Sequence, residues 1–360
     1  FINFKLDDKW LQNRVTQIIE DGSCFGNNTV NDAKHVMIEF VSVNPTGPVH
    51  VGHARGAVIG SSLANIMSAA GYRVTREYYI NDAGNQMQLF FESVLARYRE
   101  LLGISFALPE GGYQGDYIKD VAELVHSEFG DSLIDNPEAI NEMAQFSTDT
   151  MLNAISDDLC ELRVEFDNWF SEKSLFGSDE YTDTIGELES KSYLKKMDSA
   201  LWFVSTMLEE EKDNVIVKST GEPTYFASDI AYHRNKFKTR GFDQVIDIWG
   251  ADHQGHISRL KAAMRALDID DSKLKILISQ MVTLKQGDEI VKASKRTGDF
   301  VTVKELVEEV GSDACRYFFL TRSASSQMEF DMELAKKTSN ENPVYYIQYL
   351  DIIKKILNCV

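Results

Sequence analysis

The amino-acid sequence predicts an α/β protein built on a doubly wound parallel sheet, with a mostly helical insertion and the start of a C-terminal helical domain. Two parts of the chain show the same order of a β-rich run, a glycine-containing loop and a helix, which is the pattern of a parallel βαβ unit. The residues between them, about 85–215, are helical and acidic in character. We therefore expect two halves of one sheet, separated by an insertion.

The first unit begins with a β-rich run at 36–43, which contains one charge and is typical of a buried strand. A Pro- and Gly-containing segment, 44–48, breaks that run. A helix rich in small residues follows at about 52–70, and 74–80 is a second strand. Because parallel strands need a crossover connection, this order predicts a parallel pair.

The second unit contains a short strand at 245–249, a loop at 250–255 and a helix at 257–267. A further buried strand is predicted at 275–284. A polar stretch follows, and then a helix begins at Thr302, where Thr-Val-Lys-Glu fits a capping box. The unit extends the sheet of the first half.

Composition excludes several classes of protein. The chain has 360 residues and a net charge of −19, which argues against a generic basic nucleic-acid coat. Its longest uncharged run, 56–72, is too short and too polar to span a bilayer, so we expect no membrane contact. The 4 cysteines are scattered, which predicts reduced thiols and a cytoplasmic location. Since the chain lacks Gly-x-Gly, a Walker loop and Gly-x-Ser-x-Gly, the common dinucleotide and hydrolase motifs are also absent.

Two histidines, His50 and His53, lie at the junction of the first predicted strand and helix. A helix N-terminus favours phosphate, and two imidazoles there can donate hydrogen bonds to phosphate oxygens. Gly52 between them allows a nucleotide to approach the backbone. Two other interpretations fit the spacing: a pair of capping or core histidines, and a pair of metal ligands on one helix face.

A second polar cluster occupies 292–296, where Lys292, Ser294 and Lys295 stand with Ala293 and an arginine. The cluster has no helical or strand period, which is typical of a surface loop. Its three cations can neutralise a triphosphate and the pyrophosphate that develops from it. A solvated basic loop is the alternative, but the two motifs in one doubly wound chain favour a nucleotide site.

The two motifs, in this order, resemble the paired signatures of class I aminoacyl-tRNA synthetases, although Val51 and Ala293 depart from the consensus forms. The resemblance extends over about 5–360 and is specific enough to point to the bacterial arginyl-tRNA synthetases. The segments that carry it are 39–55, 78–86, 221–234, 249–253, 295–302 and 342–349. It implies a Rossmann-like catalytic domain that joins arginine to its tRNA through an arginyl-adenylate.

The resemblance also implies which residues contact arginine. Besides a tyrosine and an aspartate on one predicted helix, they are Ser42, Val43, Asn44, His53 and His253. At the last of these positions some relatives carry a glutamine, and a shift of the match by one residue would place Gln254 there instead of His253.

Tyr225 and Asp229 are four residues apart in a predicted helix and so share one face. The resemblance places both in the arginine pocket, whereas an exposed polar stripe is the alternative. Glu39 is a single charge in an apolar strand and needs a partner. The cationic groups of the substrate and an internal arginine fit equally well.

For ATP, the resemblance implies catalytic roles for His50, His53, Lys292 and Lys295. The implied ATP-binding residues are His50, Gly52, His53, Gly250, Asp252, His256, Lys292, Ser294 and Lys295. ATP is expected to enter as its Mg²⁺ complex. We expect no metal held by protein side chains alone and no tightly bound cofactor.

The expected partners are tRNA, L-arginine and ATP, and the expected state is a monomer. Basic stretches at 233–240, 292–296, 336–337 and 354–355 are the predicted contacts for tRNA on an otherwise acidic body.

Four regions are predicted in chain order, with a truncation at each end. They are the tail of an N-terminal tRNA-contacting domain at 1–30, a nucleotide-binding catalytic domain at 31–285, the signature loop and stem-contact region at 286–335, and the start of a helical anticodon-binding domain at 336–360.

Two competing functions remain open at this point. A small-molecule adenylyltransferase would share the histidine loop and the sheet but would not explain the 292–296 motif. A metal-binding module of four histidines, His50, His53, His253 and His256, is the other alternative.

Overall fold

The structure is a computed structural model that describes residues 2–28, 33–104, 107–133, 137–287, 289–290 and 301–349. The strands, in chain order, are β1 (His35–Glu39), β2 (Arg73–Ile80), β3 (Asn168–Ser171), β4 (Leu194–Met197), β5 (Ala200–Phe203), β6 (Asn214–Val217), β7 (Gln244–Gly250), β8 (Leu274–Ser279), β9 (Val282–Gln286), β10 (Glu289–Ile290) and β11 (Met328–Asp331). The helices are α1 (Asp8–Asp21), α2 (Val51–Ala69), α3 (Asn85–Leu101), α4 (Asp116–Phe129), α5 (Pro137–Glu161), α6 (Lys173–Gly177), α7 (Glu180–Ser190), α8 (Tyr225–Arg234), α9 (Ile257–Ala266), α10 (Val303–Val310), α11 (Ser312–Leu320) and α12 (Met332–Lys336).

The central sheet has the strand order β3-β2-β1-β7-β8, and every neighbouring pair is parallel. The chain starts in the middle of the sheet, moves outward to one side and then returns to build the other side. This confirms the predicted doubly wound α/β fold. The strands lie side by side in register, so that Val36 of β1 faces both Val74 of β2 and Gln244 of β7.

The central strand β1 contributes to hydrophobic cores on both faces of the sheet. Val36 and Ile38 pack into the core that contains α2, α10 and α11. Met37, between them, packs into the core beneath α8 and α9. Because successive side chains of a strand point to opposite faces, a strand buried on both faces reads as a continuous apolar run, and this is why the sequence located it.

Helix α2 crosses the sheet at close range through Gly60. A Cβ atom built on Gly60 would lie 2.2 Å from the ring of Phe40, which is fully buried. Contacts under about 3 Å require atoms to move, and neither the ring nor the helix has space to do so.

Replacing Gly60 with alanine is therefore expected to lower the free energy of unfolding by about 1–3 kcal/mol, the usual cost of overpacking a core. Helix propensity alone predicts the opposite sign, a gain of about 1 kcal/mol. Urea unfolding followed by circular dichroism measures the difference. Gly186→Ala on α7 is the matched control, because no atom lies within 4 Å of its added Cβ. A Gly60 variant as stable as the parent would contradict the prediction.

The segment predicted as one mostly helical insertion, 85–215, is more varied than expected. It does contain α3, α4, α5, α6 and α7. However, β3 pairs with β2 and belongs to the central sheet, and β4, β5 and β6 form a separate antiparallel sheet. Strand β3 was not predicted, because its four residues, Asn-Trp-Phe-Ser, are aromatic and polar and lack the aliphatic run of the other central strands. The functional division into regions stays a prediction.

Two predicted strands have different ends in the structure. The run at 36–43 leaves the strand after Glu39, because Val41 and Ser42 take left-handed backbone angles, with φ of +71° and +43°. The run at 275–284 divides into β8 and β9, and β9 pairs with β10 and β11 in another sheet. Within the described residues no helix is long and apolar enough to cross a membrane.

Candidate active site

Four strands of the central sheet end at one edge, and polar side chains follow each of them. Ser42 follows β1, Asp82 follows β2, Glu172 follows β3 and Asp252 follows β7. The carboxyl edge of a parallel sheet is where doubly wound proteins bind their ligands. Two of the predicted site residues, Ser42 and Asp252, thus lie at one edge of the sheet.

The paired histidines lie at the start of α2, as predicted. His50 is the N-cap residue, and its Nδ1 accepts a hydrogen bond of 3.0 Å from the backbone N–H of Gly52. In the neutral ring the proton is then on Nε2, where it can be donated to an oxygen. A Cβ on Gly52 would lie 2.7 Å from Cε1 of His50, so this position needs glycine for the ring as well as for a ligand. The rings of His50 and His53 are 4.0 Å apart.

The chain that follows the 292–296 motif is bound directly to the histidine loop. The backbone N–H of Val51 donates to the carbonyl of Val301 at 3.0 Å, and that of Val303 donates to Val49 at 2.8 Å. His50 therefore faces Thr302 in an antiparallel bridge. The capping box predicted at Thr302 is present and starts α10 at this point.

The predicted ATP residues Lys292, Ser294 and Lys295 lie outside the described residues. Their roles stay predictions.

Asp158 of α5 contacts the histidine loop at Val49. Burial is the largest cause, followed by the nearby charge of Glu161, of the raised pKa of this carboxyl, which is about 6. The charges of Lys304 and Asp157 have smaller and opposite effects, and the backbone N–H of Val49 hydrogen-bonds to the carboxylate. A group that changes charge near neutral pH thus contacts the residue before His50.

We expect Asp158→Asn to raise the free energy of unfolding at pH 7.5 by up to about 3 kcal/mol, since a carboxyl whose pKa is raised by about two units on folding costs that much when it ionises in the folded state. In the parent, stability should rise as pH falls from about 6 to 4, because the folded state binds a proton that the unfolded state does not. Urea titrations at several pH values measure this slope. The slope should be smaller in the variant than in the control Asp157→Asn; equal slopes in the two would contradict the assignment.

The segment predicted to contact arginine, 42–44, is held by hydrogen bonds. The Ser42 hydroxyl accepts from the backbone N–H of Tyr79 and donates to Oε1 of Glu39, both at 3.1 Å. The Val43 carbonyl accepts from the Tyr78 hydroxyl at 2.7 Å. The Asn44 amide donates to the Gln86 side chain. A β-branched residue such as Val41 at positive φ is strained, and these bonds maintain that conformation.

Glu39 has an internal partner, and it is a lysine. Lys236 is fully buried in a single π-helical turn, Asn235–Thr239, and its ammonium donates to Glu39 at 2.5 Å and to Asp247 at 2.9 Å. Nε2 of His233 is hydrogen-bonded to the other oxygen of Asp247 at 2.8 Å. Neither the substrate nor an internal arginine, the two partners expected from the sequence, is needed to explain Glu39.

The buried charges around Lys236 shift one another. Burial alone would lower the pKa of Lys236, but the Asp247 and Glu39 carboxylates raise it. Burial would raise the pKa of Asp247, yet the Lys236 and His233 charges lower it. Burial and the charge of Asp247 raise the pKa of Glu39. The Lys236 ammonium is therefore held charged.

The cations of the basic stretch at 233–240, which the sequence predicted as tRNA contacts, are mostly engaged in ion pairs within the fold. Lys236 is internal, and Arg240 binds the buried Glu77 carboxylate with both terminal nitrogens. Arg234 and Lys238 are bonded to Glu187 of α7. These cations therefore form ion pairs with acidic side chains that are distant in the sequence.

The predicted helix that carries Tyr225 and Asp229 is α8, and the two lie one turn apart. Tyr225 is 57% exposed, and its hydroxyl lies against the backbone of Gly84. Asp229 is partly buried, and burial raises its pKa against the opposing charges of His233, Arg259 and His253. Among the described residues, its carboxylate forms no ion pair within 4 Å.

Glu172 is a site residue that the sequence analysis missed. It is 3% exposed, and its Oε2 atom has no hydrogen-bond partner in the described part of the chain. Burial raises its pKa, the Ser228 and Tyr79 hydroxyls oppose the rise, and the charges of Asp229 and Asp82 add to it. A buried carboxylate with an unused oxygen next to a second carboxylate is a site for a cation. Recognition of β3 as a central strand would have revealed it, since Glu172 directly follows that strand.

The second predicted ATP loop forms a 3₁₀ turn, Ala251–His256, after β7. A Cβ on Gly250 would lie 2.7 Å from Oδ1 of Asp252, so glycine lets the carboxylate fold back over the strand end. Asp252 lies 3.5 Å from Nε2 of His253. Burial, followed by the charge of Arg259, lowers the pKa of His256.

His253 and Gln254 are both exposed, but only His253 is shown to act on Asp229 through its charge. Which of the two contacts arginine stays a prediction. In the described ranges no three His, Cys, Asp or Glu side chains are arranged to hold a metal ion, so the four-histidine metal site finds no support.

A parallel sheet with a paired-histidine helix at its carboxyl edge defines the catalytic domain of a class I aminoacyl-tRNA synthetase. The class uses ATP with Mg²⁺. The family model described as tRNA synthetases class I (R), catalytic domain, matches residues 14–358. The chain belongs to this family, the arginyl-tRNA synthetases.

Individual relatives agree with the family assignment. The arginine–tRNA ligase of Dehalococcoides mccartyi is 52% identical over 351 residues, which are 97% of this chain and 63% of that protein. That of Carboxydothermus hydrogenoformans is 50% identical over 351 residues, with the same coverage of 97% and 63%. The chain therefore spans about 63% of the length of these curated relatives.

Solved structures show the same fold. A crystal structure from Campylobacter jejuni, described as an arginyl-tRNA synthetase, has a TM-score of 0.87 at 36% identity and covers 96% of this chain and 75% of that one. The Thermus thermophilus arginyl-tRNA synthetase has a TM-score of 0.70 at 18% identity, with coverage of 98% and 69%. This second similarity shows a common fold.

Proposed function

We propose that this chain is the catalytic part of an enzyme that ligates L-arginine to its cognate tRNA through an arginyl-adenylate. The observation that carries the proposal is the pair of partly or fully buried carboxylates, Glu172 and Asp229, at the same sheet edge as His50 and His53. A guanidinium presents several N–H donors in one plane and suits paired carboxylate acceptors. The edge thus combines a site for a cationic side chain with a site for phosphate.

Two groups of side chains at this sheet edge bind the two ends of arginine. Glu172, Asp229 and the Tyr225 hydroxyl receive the guanidinium. The Ser42 hydroxyl donates a hydrogen bond to Glu39 and accepts one from the backbone N–H of Tyr79. Its second oxygen lone pair is then an acceptor for the α-ammonium group. Asn44 lies beside it. The α-carboxylate of the substrate is then directed toward the start of α2.

In the first step an oxygen of the arginine carboxylate bonds to the α-phosphorus of ATP, and the bond from that phosphorus to the bridging oxygen of pyrophosphate breaks. His50 and His53 donate hydrogen bonds to the phosphate oxygens, where negative charge increases. Lys292, Ser294, Lys295 and the Mg²⁺ that accompanies ATP take the charge of the pyrophosphate.

The nucleoside is held by the 3₁₀ turn after β7. Asp252 accepts from a ribose hydroxyl, while Gly250 and His256 border the nucleotide. In the second step a terminal hydroxyl of tRNA attacks the carbonyl carbon of the mixed anhydride, and AMP leaves. We expect a monomeric, cytoplasmic enzyme with no tightly bound cofactor.

The experiment is arginine-dependent exchange of pyrophosphate into ATP by the full-length protein, with and without tRNA. We expect exchange with arginine and none with citrulline, which has the same shape but no charge. Exchange that needs a different small acceptor would favour the adenylyltransferase. Absence of exchange with arginine under both conditions would contradict the proposal.

Within that assay, His53→Ala is expected to lower kcat by about 10²-fold, the scale for loss of one donor to a transition-state oxygen. The matched control is His126→Ala on α4, whose ring is partly exposed beside Asp131. Circular dichroism establishes that both variants are folded. A rate within twofold of the parent would remove His53 from the catalytic residues.

A further inference from the structure

Arg55 lies on α2, five residues after His50, and it is fully buried. Its two terminal nitrogens donate to backbone carbonyls. The acceptors are Gln280 at 3.2 Å and Ser326 at 2.6 Å from Nη1, and Arg322 at 3.4 Å and Ser323 at 2.6 Å from Nη2. Its Nε atom has no partner in the described part of the chain. The acceptors of this cation are therefore neutral.

If Arg55 only filled space in the core, burying its guanidinium would be unfavourable. A charged group taken out of water without an opposite charge is destabilising, and burial accordingly lowers the pKa of the Arg55 guanidinium. An apolar side chain of similar length would fill the space at a lower cost. The reason for a guanidinium must lie in the backbone that it binds.

The bound carbonyls lie in two segments of one unit, which we name the signature module. It consists of Gln280 and the elements β9, β10, α10, α11 and β11. Gln280 precedes β9, where the module begins, and 321–327 connects α11 to β11. The two segments are also bonded to each other, from the Gln280 N–H to the Ala324 carbonyl at 2.9 Å. One guanidinium thus binds two converging segments of the module.

The signature module has a second attachment to the same helix. At the start of α2, Val49 and Val51 exchange backbone hydrogen bonds with Val303 and Val301. A body fastened at one place can pivot, whereas two separate attachments fix its orientation. His53 lies between the two attachments.

We propose that Arg55 is a positioning residue for the first chemical step. It fixes the signature module in the orientation that sets Ile290 and Val301, the flanks of the 291–300 segment, relative to His50 and His53. The inference rests on the proposed function, because its consequence is the relative placement of the groups that act on ATP. Arg55 itself contacts no reacting atom.

The test compares Arg55→Lys and Arg55→Met with the parent in pyrophosphate exchange by the full-length protein, normalised by titration of active sites with an adenylate burst. Lysine keeps the charge but cannot reach four carbonyls from one nitrogen, and methionine keeps only apolar length. We expect kcat to fall by about 10- to 100-fold, as for small misplacements of catalytic groups. KM for arginine should stay within about twofold, and lysine should retain more activity than methionine.

Arg265→Lys is the matched control, since its guanidinium also donates to a backbone carbonyl, that of Leu208, but lies on α9. Its kcat should equal that of the parent. If kcat per active site is unchanged in the Arg55 variants, the inference is overturned. It is also overturned if activity falls only in proportion to the amount of folded protein, or if both variants fail to fold, because Arg55 then serves stability alone. Absence of exchange by the parent would instead refute the proposed function.

Discussion

Replacing Lys236 with methionine is expected to lower the free energy of unfolding by about 3–5 kcal/mol at pH 7.5, the usual cost of removing one partner from a buried ion pair. The ammonium lies 2.5 Å from Glu39, 2.9 Å from Asp247 and 4.1 Å from the centre of the Tyr232 ring. Methionine fills a similar space but leaves two buried carboxylates without their cation. The packing is kept, so the measured loss reports on charge.

Chemical unfolding by urea, followed by tryptophan fluorescence, measures this loss. Lys238→Met, two residues further along, is the matched control. Its ammonium pairs with Glu187 near the surface at 2.5 Å, and such pairs contribute about 0–1 kcal/mol. In Lys236→Met, burial without a cation raises the pKa of both carboxyls, so stability should recover as pH falls toward about 5. Equal losses in the two variants would show that the buried pair is not the cause.

Asp229→Asn is expected to weaken arginine binding by about 2–5 kcal/mol, provided the guanidinium is desolvated against this carboxylate. Asparagine keeps the shape of the side chain and removes its charge. Because the neighbouring Glu172 has an oxygen without a partner, it remains as the second acceptor in the variant. The variant should therefore bind arginine more weakly but still bind it.

Isothermal titration of arginine and citrulline with both proteins measures the effect. Citrulline should discriminate less between the variant and the parent than arginine does, since it brings no charge to the pocket. Asp183→Asn, an exposed carboxylate on α7, is the control and should leave both affinities unchanged. Unaltered arginine affinity in Asp229→Asn would place that carboxylate outside the pocket.

The sequence predicted the parts of the fold that local patterns determine. The helix expected at 52–70 is observed as Val51–Ala69, because its small residues, its histidine N-cap and the following glycine are all local signals. The capping box at Thr302 is also a local arrangement, and it was found where expected. The histidine pair at the start of the first helix followed from the same patterns, since ligands bind at the carboxyl ends of parallel strands, whereas Ser42, Asn44 and His253 were implied only by the family resemblance.

What could not be predicted depends on residues that are far apart in the sequence. Glu39 and Lys236 are 197 positions apart, and the sequence gives no sign that one balances the charge of the other. The left-handed angles of Val41 and Ser42 oppose the preference of β-branched residues, so propensity extended β1 too far. Glu172 was missed for a related reason: the strand that positions it, β3, is recognisable only through its pairing with β2.

The position of β1 in the middle of the sheet has a consequence for synthesis of the chain on the ribosome. One edge of β1 is covered by β2, which follows soon after, but the other edge is covered by β7, which is made about 200 residues later. At translation rates of roughly 5–20 residues per second, that edge waits for about 10–40 s. During this time the nascent chain exposes an apolar strand with unpaired N–H and C=O groups, a template for aggregation. Newly made chains should therefore depend on a chaperone that binds extended apolar segments until Gln244–Gly250 has emerged.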